Sequence, residues 1–327
     1  MNIKTIAEKF PATVDLRRTL FFIFKILIAV LVVSLLVQKI QIENLLAALS
    51  QSQRIFILLA LLILPINLLL QFLKWRLVVR REKTNVPAAT LWSSMFVGLS
   101  LGLVTPGRVG DFARTAFVKN VNKSGVLGLL LVDKTITLFV IYVLGLTSLT
   151  RFVNILTQQA ILSLVIGLGI IFLGLLIVLQ RRGFDFHTWK RGIIKKWSFL
   201  ERVVSGIEKA SLDFMAQLLV ITVVHVFIYC FQLFLLTRAF QPITLIDALS
   251  ASFAIMFTKS LLPVSFGDLG VREGAAVYFF GRFDISAPAA FNAALLLFLI
   301  NVLIPGIIGL IILLLKRQMN GRENAYE

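Results

Sequence analysis

The sequence is short of the residues from which metal sites, disulfide frameworks and most catalytic centres are built. Its 327 residues include one cysteine, Cys230, and two histidines, His187 and His225. A lone cysteine excludes a disulfide framework and a thiolate cluster, and two distant histidines offer no metal-ligand spacing. Phosphate-binding loops, dinucleotide fingerprints and nucleophile elbows are also missing. We therefore expect no catalytic residues, no metal and no cofactor, and we predict that the protein is not an enzyme.

Charged residues are the second shortage, since they make up 15% of the chain against 58% for hydrophobic residues. A water-soluble domain of this length could not expose so apolar a surface. Six apolar runs approach or exceed the roughly 20 helical residues that cross a hydrocarbon core. They are residues 20–37, 55–73, 126–149, 160–179, 215–236 and 288–315. The sequence predicts an all-α polytopic membrane protein with about six transmembrane helices.

Acidic residues are outnumbered by basic ones, 16 against 33, which leaves a formal net charge of +17. The basic residues cluster between the apolar runs, as they do in cytoplasmic loops. We therefore interpret the charge as a record of membrane topology and expect no nucleic-acid partner. Arg17 and Arg18 precede the first run, and Lys316 and Arg317 follow the last. Both termini are predicted to lie in the cytoplasm, with the protein in the plasma membrane.

The same charges suggest a division of the chain. Residues 1–19 form a predicted cytoplasmic tail, residues 20–316 a transmembrane domain and residues 317–327 a second cytoplasmic tail. The domain is predicted to consist of a first half, 20–149, and a second half, 160–316. A basic cytoplasmic link, 181–214, lies within the second half.

Two weaker apolar stretches, residues 88–105 and 247–262, are each followed or closed by a proline. Loop charges place both flanks of the first stretch in the cytoplasm and both flanks of the second outside. Each stretch is therefore predicted to enter and leave by one side, which gives two re-entrant hairpins of opposite orientation. Such an inverted repeat is typical of transporters whose broken helices line a polar site near the midplane. The alternative is two independent loops at the membrane boundaries.

Proline and glycine residues shape both predicted hairpins. Proline cannot continue a helix through its own nitrogen, and glycine permits a sharp turn. The residues expected to set the hairpin geometry are Pro106, Gly107, Gly110, Pro263, Gly267 and Gly270.

Charged residues follow the proline in each hairpin, and others lie inside apolar segments. Arginine presents a planar fork to phosphate, and ionisable groups at membrane depth usually face a cavity or a partner. The candidate residues for binding a lipid headgroup are Arg108, Asp111, Arg114, Asp133, Lys134, Lys259, Asp268, Arg272 and Glu273. The alternative is that these acidic and basic side chains pair only with one another and hold the fold together. For Lys259, a further alternative is that its side chain extends to the membrane–water interface.

The two hairpin sequences, residues 105–114 (TPGRVGDFAR) and 262–274 (LPVSFGDLGVREG), resemble the signature segments of a known family. This family is the membrane region of lysylphosphatidylglycerol synthases and its stand-alone, flippase-like relatives, and the resemblance covers essentially the whole chain. Asp111 stands where the family often has glutamate, and Thr137 where it often has aspartate. The resemblance implies a prokaryotic membrane protein that moves aminoacylated or other phospholipids between leaflets. In the synthases a soluble transferase domain follows, so aminoacyl transfer is not expected from a chain that ends at Glu327.

Two functional hypotheses follow. The first is a flippase or transporter for a phospholipid or lipid-linked substrate, with anionic or aminoacylated phospholipids as partners. The second is an accessory or scaffold protein that presents lipid substrates to a separate membrane or soluble transferase. In the second case the basic residues between 181 and 209 would form the docking surface.

Overall fold

A computed structural model of the protein describes residues 42–83, 85–103, 105, 108–153, 155–180, 198–261 and 269–326. Throughout these ranges the chain forms helices and short connections, without a strand. The predicted all-α class is thus confirmed. Several predicted features lie outside the described residues: the run 20–37, most of the basic link, Pro106, Gly107, Pro263, Gly267 and Asp268.

Eleven α-helices are assigned in the described part of the chain. They are α1 Ile42–Ser50, α2 Arg54–Glu82, α3 Ala88–Leu103, α4 Lys123–Leu149, α5 Ile155–Gln180, α6 Ser198–Glu208, α7 Leu212–Phe240, α8 Leu245–Leu261, α9 Val271–Gly281, α10 Ala287–Phe298 and α11 Ile304–Tyr326. A 3₁₀ segment, Val109–Phe117, follows α3, and a π-helical turn, Leu299–Leu303, joins α10 to α11.

Four helical segments of the described chain are long and apolar enough to cross a membrane. They are Arg54–Glu82, Lys123–Phe152, Leu212–Phe240 and Ala287–Leu315. These segments coincide with four of the six predicted runs. The predicted run 160–179 falls within α5, whose described side chains form the shorter apolar stretch Thr157–Ile170. The protein is therefore a helical membrane-type protein.

Local capping explains where two of the long helices begin. The Asn122 side chain accepts a hydrogen bond from the Gly125 amide (3.3 Å) before α4, and Ser211 accepts one from the Phe214 amide (3.4 Å) before α7. Each side-chain oxygen satisfies one of the amides that a first helical turn leaves without a partner.

The long helices alternate in direction, and side-chain contacts identify the two ends of the bundle. At one end Lys209 Nζ lies 2.8 Å from Glu82 Oε1, where α2 ends and α7 is about to begin. At the other end the Gln53 amide donates to the Ala239 carbonyl (2.7 Å). We call the end near Glu82 and Lys209 the basic end and the one near Gln53 the opposite end.

Shorter helical segments form two pairs, α3 with the 3₁₀ segment and α8 with α9. Each pair starts and finishes at one end of this bundle. The chain leaves α2 at the basic end, forms α3 and the 3₁₀ segment, and returns to begin α4 near Glu82. The second pair, α8 and α9, starts beside α4 at the opposite end, where Arg151 binds Asp247 (2.9 Å). It finishes there as well, since the rings of Phe283 and Phe152 lie 5.6 Å apart.

Close helix packing depends on small residues. The buried alanines of α8 and α10 form the centre of one apolar core: Ala248, Ala251, Ala254, Ala289, Ala290, Ala293 and Ala294. In lipid, burying apolar surface between helices gains little free energy, because the lipid tails are equally apolar. Small side chains let the helix backbones approach closely, so that packing contacts stabilise the association.

Candidate functional site

A polar cavity of about 190 Å³ lies among α2, α4, α7 and α8. The 3₁₀ segment, the start of α9 and the π-helical turn complete its wall. Its wall includes six basic side chains: Lys74, Arg108, Arg114, Lys134, Lys259 and Arg272. Two carboxylates, Asp111 and Asp133, also line it. The cavity therefore brings together seven of the nine candidate residues predicted from the sequence. It is built from both halves of the chain.

The first charged cluster of the cavity surrounds Asp111. Asp111 Oδ2 lies 3.3 Å from Lys134 Nζ and 3.8 Å from Arg108 Nε. Burial alone raises the pKa of the Asp111 carboxyl, but the charges of Arg108, Lys134 and Arg114 outweigh burial and hold it below its ordinary 3.8. Arg108 reaches this position from a left-handed backbone conformation (φ 56°). Asp111 is thus an ionised acid held by basic neighbours.

Arg114 is positioned by stacking. Its Cζ atom lies 4.5 Å from the centre of the Trp75 ring, a distance at which the ring face attracts a cation. Trp75 is fully buried, and its indole Nε1 donates to Ser94 Oγ (2.9 Å). Among the described residues, Arg114 Nε has no hydrogen-bond acceptor. The ring thus orients a guanidinium that keeps hydrogen-bonding capacity.

A second charged cluster joins α2 to α4. Lys74 Nζ lies 2.8 Å from Asp133 Oδ1 and donates to Thr137 Oγ1 (2.8 Å). Thr137 in turn donates to the Asp133 carbonyl (2.8 Å). Lys74 and Asp133 are 7% and 4% exposed, so this ion pair is buried.

Sequence reasoning missed Lys74, because it counted this lysine among the cytoplasmic loop charges after the apolar run. The signal that could have found it is its position before Trp75, with further apolar residues, Leu77 to Val79, ahead of the true helix end. Five other polar lining residues were also left out of the candidate set: Gln71, Thr137, His225, Tyr229 and Asn301.

The first turn of α9 contributes Arg272, which is only 1% exposed. Arg272 Nη2 and Nε both donate to Glu273 Oε1, at 2.5 and 3.1 Å. Glu273 Oε2 accepts from the Gly270 amide (2.6 Å), which fixes the start of α9. Arg272 lines the cavity, while Glu273 lies behind it and orients its side chain.

Lys259 lines the cavity from the end of α8. Its Nζ atom lies 5.4 Å from the centre of the Tyr229 ring on α7, within the range of a cation–π contact. Asp268, the ninth candidate, lies outside the described residues.

Two glycines predicted to shape the hairpins are needed for different structural reasons. Gly270 has a φ of 85°, a conformation that favours glycine. Gly110 lacks a positive φ, but a side chain there would collide with the Leu101 carbonyl. Gly110 is required for close packing of the 3₁₀ segment on α3 and not for a left-handed turn.

An amide cluster closes one side of the cavity. Asn67 Nδ2 donates to Gln232 Oε1 (2.6 Å), and Asn301 Nδ2 donates to the same oxygen (2.7 Å). Asn301 lies in the π-helical turn and also lines the cavity. This agrees with the general tendency of buried amides to join transmembrane helices.

The surplus of basic groups decides what the cavity can do chemically. Arginine forks and lysine ammonium groups bind phosphate and carboxylate through charge-assisted hydrogen bonds. Among the described lining residues, basic side chains outnumber carboxylates, and helices of a membrane-type protein enclose them.

Comparison with known proteins identifies the family. No curated protein matches the chain. The family model for the lysylphosphatidylglycerol synthase TM region matches residues 22–309. That range includes both hairpin sequences and every described residue of the cavity. The chain therefore belongs to the lysylphosphatidylglycerol synthase TM region family, as its two signature segments predicted.

Proposed function

We propose that the protein moves a phospholipid, or another lipid-linked substrate with a phosphate headgroup, between membrane leaflets. The observation that carries the proposal is the cavity lined by six basic side chains and enclosed by membrane-type helices. The substrate crosses without a chemical change, so no catalytic residue or cofactor is included in the proposal. Membership of the lysylphosphatidylglycerol synthase TM region family supports a membrane protein of that family, and the movement of lipid is our proposal.

A lipid needs such a cavity because its charged headgroup must cross the hydrocarbon core. A phosphate anion is strongly disfavoured in hydrocarbon unless it is paired or hydrogen-bonded. Arg114, from the first half of the chain, and Arg272, from the second, would hold the phosphate during crossing. The acyl chains would stay in the surrounding lipid.

We further propose that the two short helical pairs are re-entrant hairpins of opposite orientation, with six helices crossing the plasma membrane. Support comes from the ends of each pair: one pair starts and finishes at the basic end of the bundle, the other at the opposite end. In inverted-repeat transporters, rocking of one repeat against the other exposes a central site alternately to each side. The basic end would lie in the cytoplasm.

Leaflet exchange in liposomes tests the proposal. The purified protein is reconstituted with a phospholipid carrying a fluorophore on one acyl chain, and the fraction that an impermeant quencher reaches is followed over time. We expect faster exchange than in protein-free vesicles, and at least a tenfold loss of rate in Arg114→Ala. The matched control is Arg282→Ala, because Arg282 is exposed and lies outside the cavity wall.

Exchange no faster than in empty vesicles, for any headgroup tested, would refute the proposal. The scaffold alternative stays a prediction, because most of its docking surface, residues 181–197, lies outside the described part of the chain.

A further inference from the structure

A second concave surface lies on the outside of the helix bundle, between α2 and α7. This groove has a volume of about 470 Å³ and is lined by four residues of each helix. It is separate from the polar cavity: Leu73 and Arg76 line the groove, whereas Lys74 lines the cavity. Val220 in the groove wall is 62% exposed, so the groove opens onto the surroundings of the bundle. Both helices are long and apolar enough to cross a membrane, and lipid therefore surrounds this surface.

The groove changes from polar to apolar along the helix axes. Lys209, just before α7, binds Glu82, the last residue of α2 (2.8 Å), so the two helices end level with each other. With a rise of about 1.5 Å per residue, Arg80 and Arg76 lie about 3 and 9 Å from this end of α2. The apolar lining residues farther from the same end, at about 12–14 Å, are Leu73, Val220 and Ile221.

The two arginines of the groove lie one helical turn apart and lack acidic partners. Within the described chain, neither the Arg76 nor the Arg80 guanidinium makes an ion pair or a hydrogen bond. Glu82, at the end of the same helix, is taken by Lys209. Like charges four residues apart on a helix repel each other. Arg76 is half-buried and Arg80 exposed, so one anion can reach both and remove that repulsion through charge-assisted hydrogen bonds.

A phospholipid matches both ends of this groove. Its phosphate lies at the membrane surface and its acyl chains extend into the hydrocarbon, as the arginines and the apolar residues of the groove do. Basic pockets between transmembrane helices attract anionic headgroups. A choline headgroup would bring a positive charge beside two guanidinium groups, whereas a headgroup of net negative charge would not. A water-soluble anion would leave the apolar part of the groove unused.

We infer that the groove binds one anionic phospholipid from the leaflet that faces the basic end. The phosphate is held by Arg76 and Arg80, and an acyl chain lies along Leu73, Val220 and Ile221. The lipid at this site stays bound to the outside of the bundle and is not the one that crosses. The inference therefore goes beyond the proposed movement of lipid and does not depend on it.

Native mass spectrometry of the full chain tests the site. The purified protein is equilibrated in micelles with equal amounts of phosphatidylglycerol and phosphatidylcholine that carry the same acyl chains, and the lipids that it retains are counted. We expect the wild-type protein to retain phosphatidylglycerol about tenfold or more over phosphatidylcholine. This comparison needs no variant to fold. Equal retention of the two lipids overturns the inference.

Two variants locate the bound lipid. Arg76→Gln/Arg80→Gln should weaken the retention of one phosphatidylglycerol by about tenfold or more. The matched control is Lys119→Gln/Lys123→Gln, which removes two exposed positive charges at the same end of the bundle but outside the groove. If another helix of this chain or a second copy covers the groove, the arginine variant and the control retain equal lipid, and the inference is overturned.

A third variant tests the acyl chain without changing the charge. Ala216 is exposed in the groove wall, and Ala216→Trp would fill the groove. Loss of phosphatidylglycerol in this variant supports a lipid seated along the groove. Loss in the arginine variant alone means that the arginines bind a phosphate without its acyl chain, which overturns the lipid as the occupant.

The outcomes also separate this site from the cavity. The comparison is repeated in an Arg114→Ala background, where removal of the two groove arginines should cause the same loss of phosphatidylglycerol. If no lipid exchanges between leaflets but the groove variants still lose lipid, the proposed function fails and the inference stands. If lipid exchanges while the groove variants match their control, the inference fails and the proposed function stands.

Discussion

At the scale of single residues, the notable feature is a set of ionisable side chains that are buried yet paired. Removing two ions from solvent is costly, and the loss is offset only when the geometry of the pair is good and the remaining hydrogen bonds are made. Lys74 and Asp133 meet these conditions, because Thr137 adds a hydrogen bond to the lysine. The pair joins α2 to α4 at the wall of the cavity. Removing one partner should therefore destabilise the protein more than removing both.

We predict that Lys74→Met lowers stability by about 3–5 kcal/mol, because it leaves the buried Asp133 carboxylate without its cation. The double variant Lys74→Met/Asp133→Leu should recover at least half of that loss, since no charge then stays buried. Apparent unfolding temperatures in one detergent measure both effects, with Arg282→Ala as the surface control. A double variant no more stable than the single one would contradict the argument.

The Asp111 carboxyl predicts a specific dependence on pH. Its pKa in the folded protein lies below the ordinary 3.8. A carboxyl of this kind stabilises the fold above its unfolded pKa, and the stabilisation disappears as pH falls through the folded pKa. The difference in unfolding temperature between wild type and Asp111→Asn should therefore stay constant from about pH 8 to pH 5. It should shrink only in acid below the ordinary pKa, and a change near neutral pH would contradict the assignment.

At the scale of elements, the contact between α3 and the 3₁₀ segment positions the first half of the cavity. A side chain at Gly98 would come within 2.9 Å of Arg114 Cβ, and one at Gly102 would collide with Asp111. The glycines of α3 thus form the surface against which these two charged residues pack. Both residues line the cavity, so this contact sets where their charges lie in its wall.

Gly110→Ala should destabilise the protein by about 1–3 kcal/mol, the usual effect of overpacking. The added methyl group would come within 2.7 Å of the Gly102 nitrogen and closer still to the Leu101 carbonyl. The matched control is Gly167→Ala on α5, where no atom lies within 4 Å of the new methyl group. Thermal unfolding of both variants measures the effect, and equal stability would show that the segment can move away from α3.

At the scale of the whole molecule, the two ends of the bundle carry different loops. The loop between the 3₁₀ segment and α4 lies at the basic end, and the one between α9 and α10 lies at the opposite end. Orientation in the membrane follows from that difference if basic loops stay in the cytoplasm.

Cysteine labelling tests this orientation. In a Cys230→Ser background, we predict that an impermeant maleimide reaches Ser286→Cys from outside the cell and Lys119→Cys only from the cytoplasmic side. Both positions are exposed, whereas Cys230 is buried, so the background change should not disturb the surface. Labelling of both positions from one side would exclude the proposed inverted repeat.

Much of the architecture was predictable, because a transmembrane helix is recorded in a continuous run of apolar residues. The predicted runs 55–73 and 215–236 lie inside α2 and α7, and the helices extend beyond both runs to include charged ends. Lys74 was misread for that reason: hydropathy marks where an apolar run stops, not where a helix ends. The number of helices that cross the membrane stays a prediction.

By itself the sequence determined the helical membrane class, the family and seven of the charged residues that meet at the cavity. Composition, hydropathy and two short motifs carry that information within local stretches of chain. Only the tertiary structure decided that Lys74 pairs with Asp133, that Trp75 orients Arg114, and that Glu273 lies behind Arg272. The physical reason is distance along the chain: which charges are neutralised, and how small the cavity is, depends on side chains that only folding brings together.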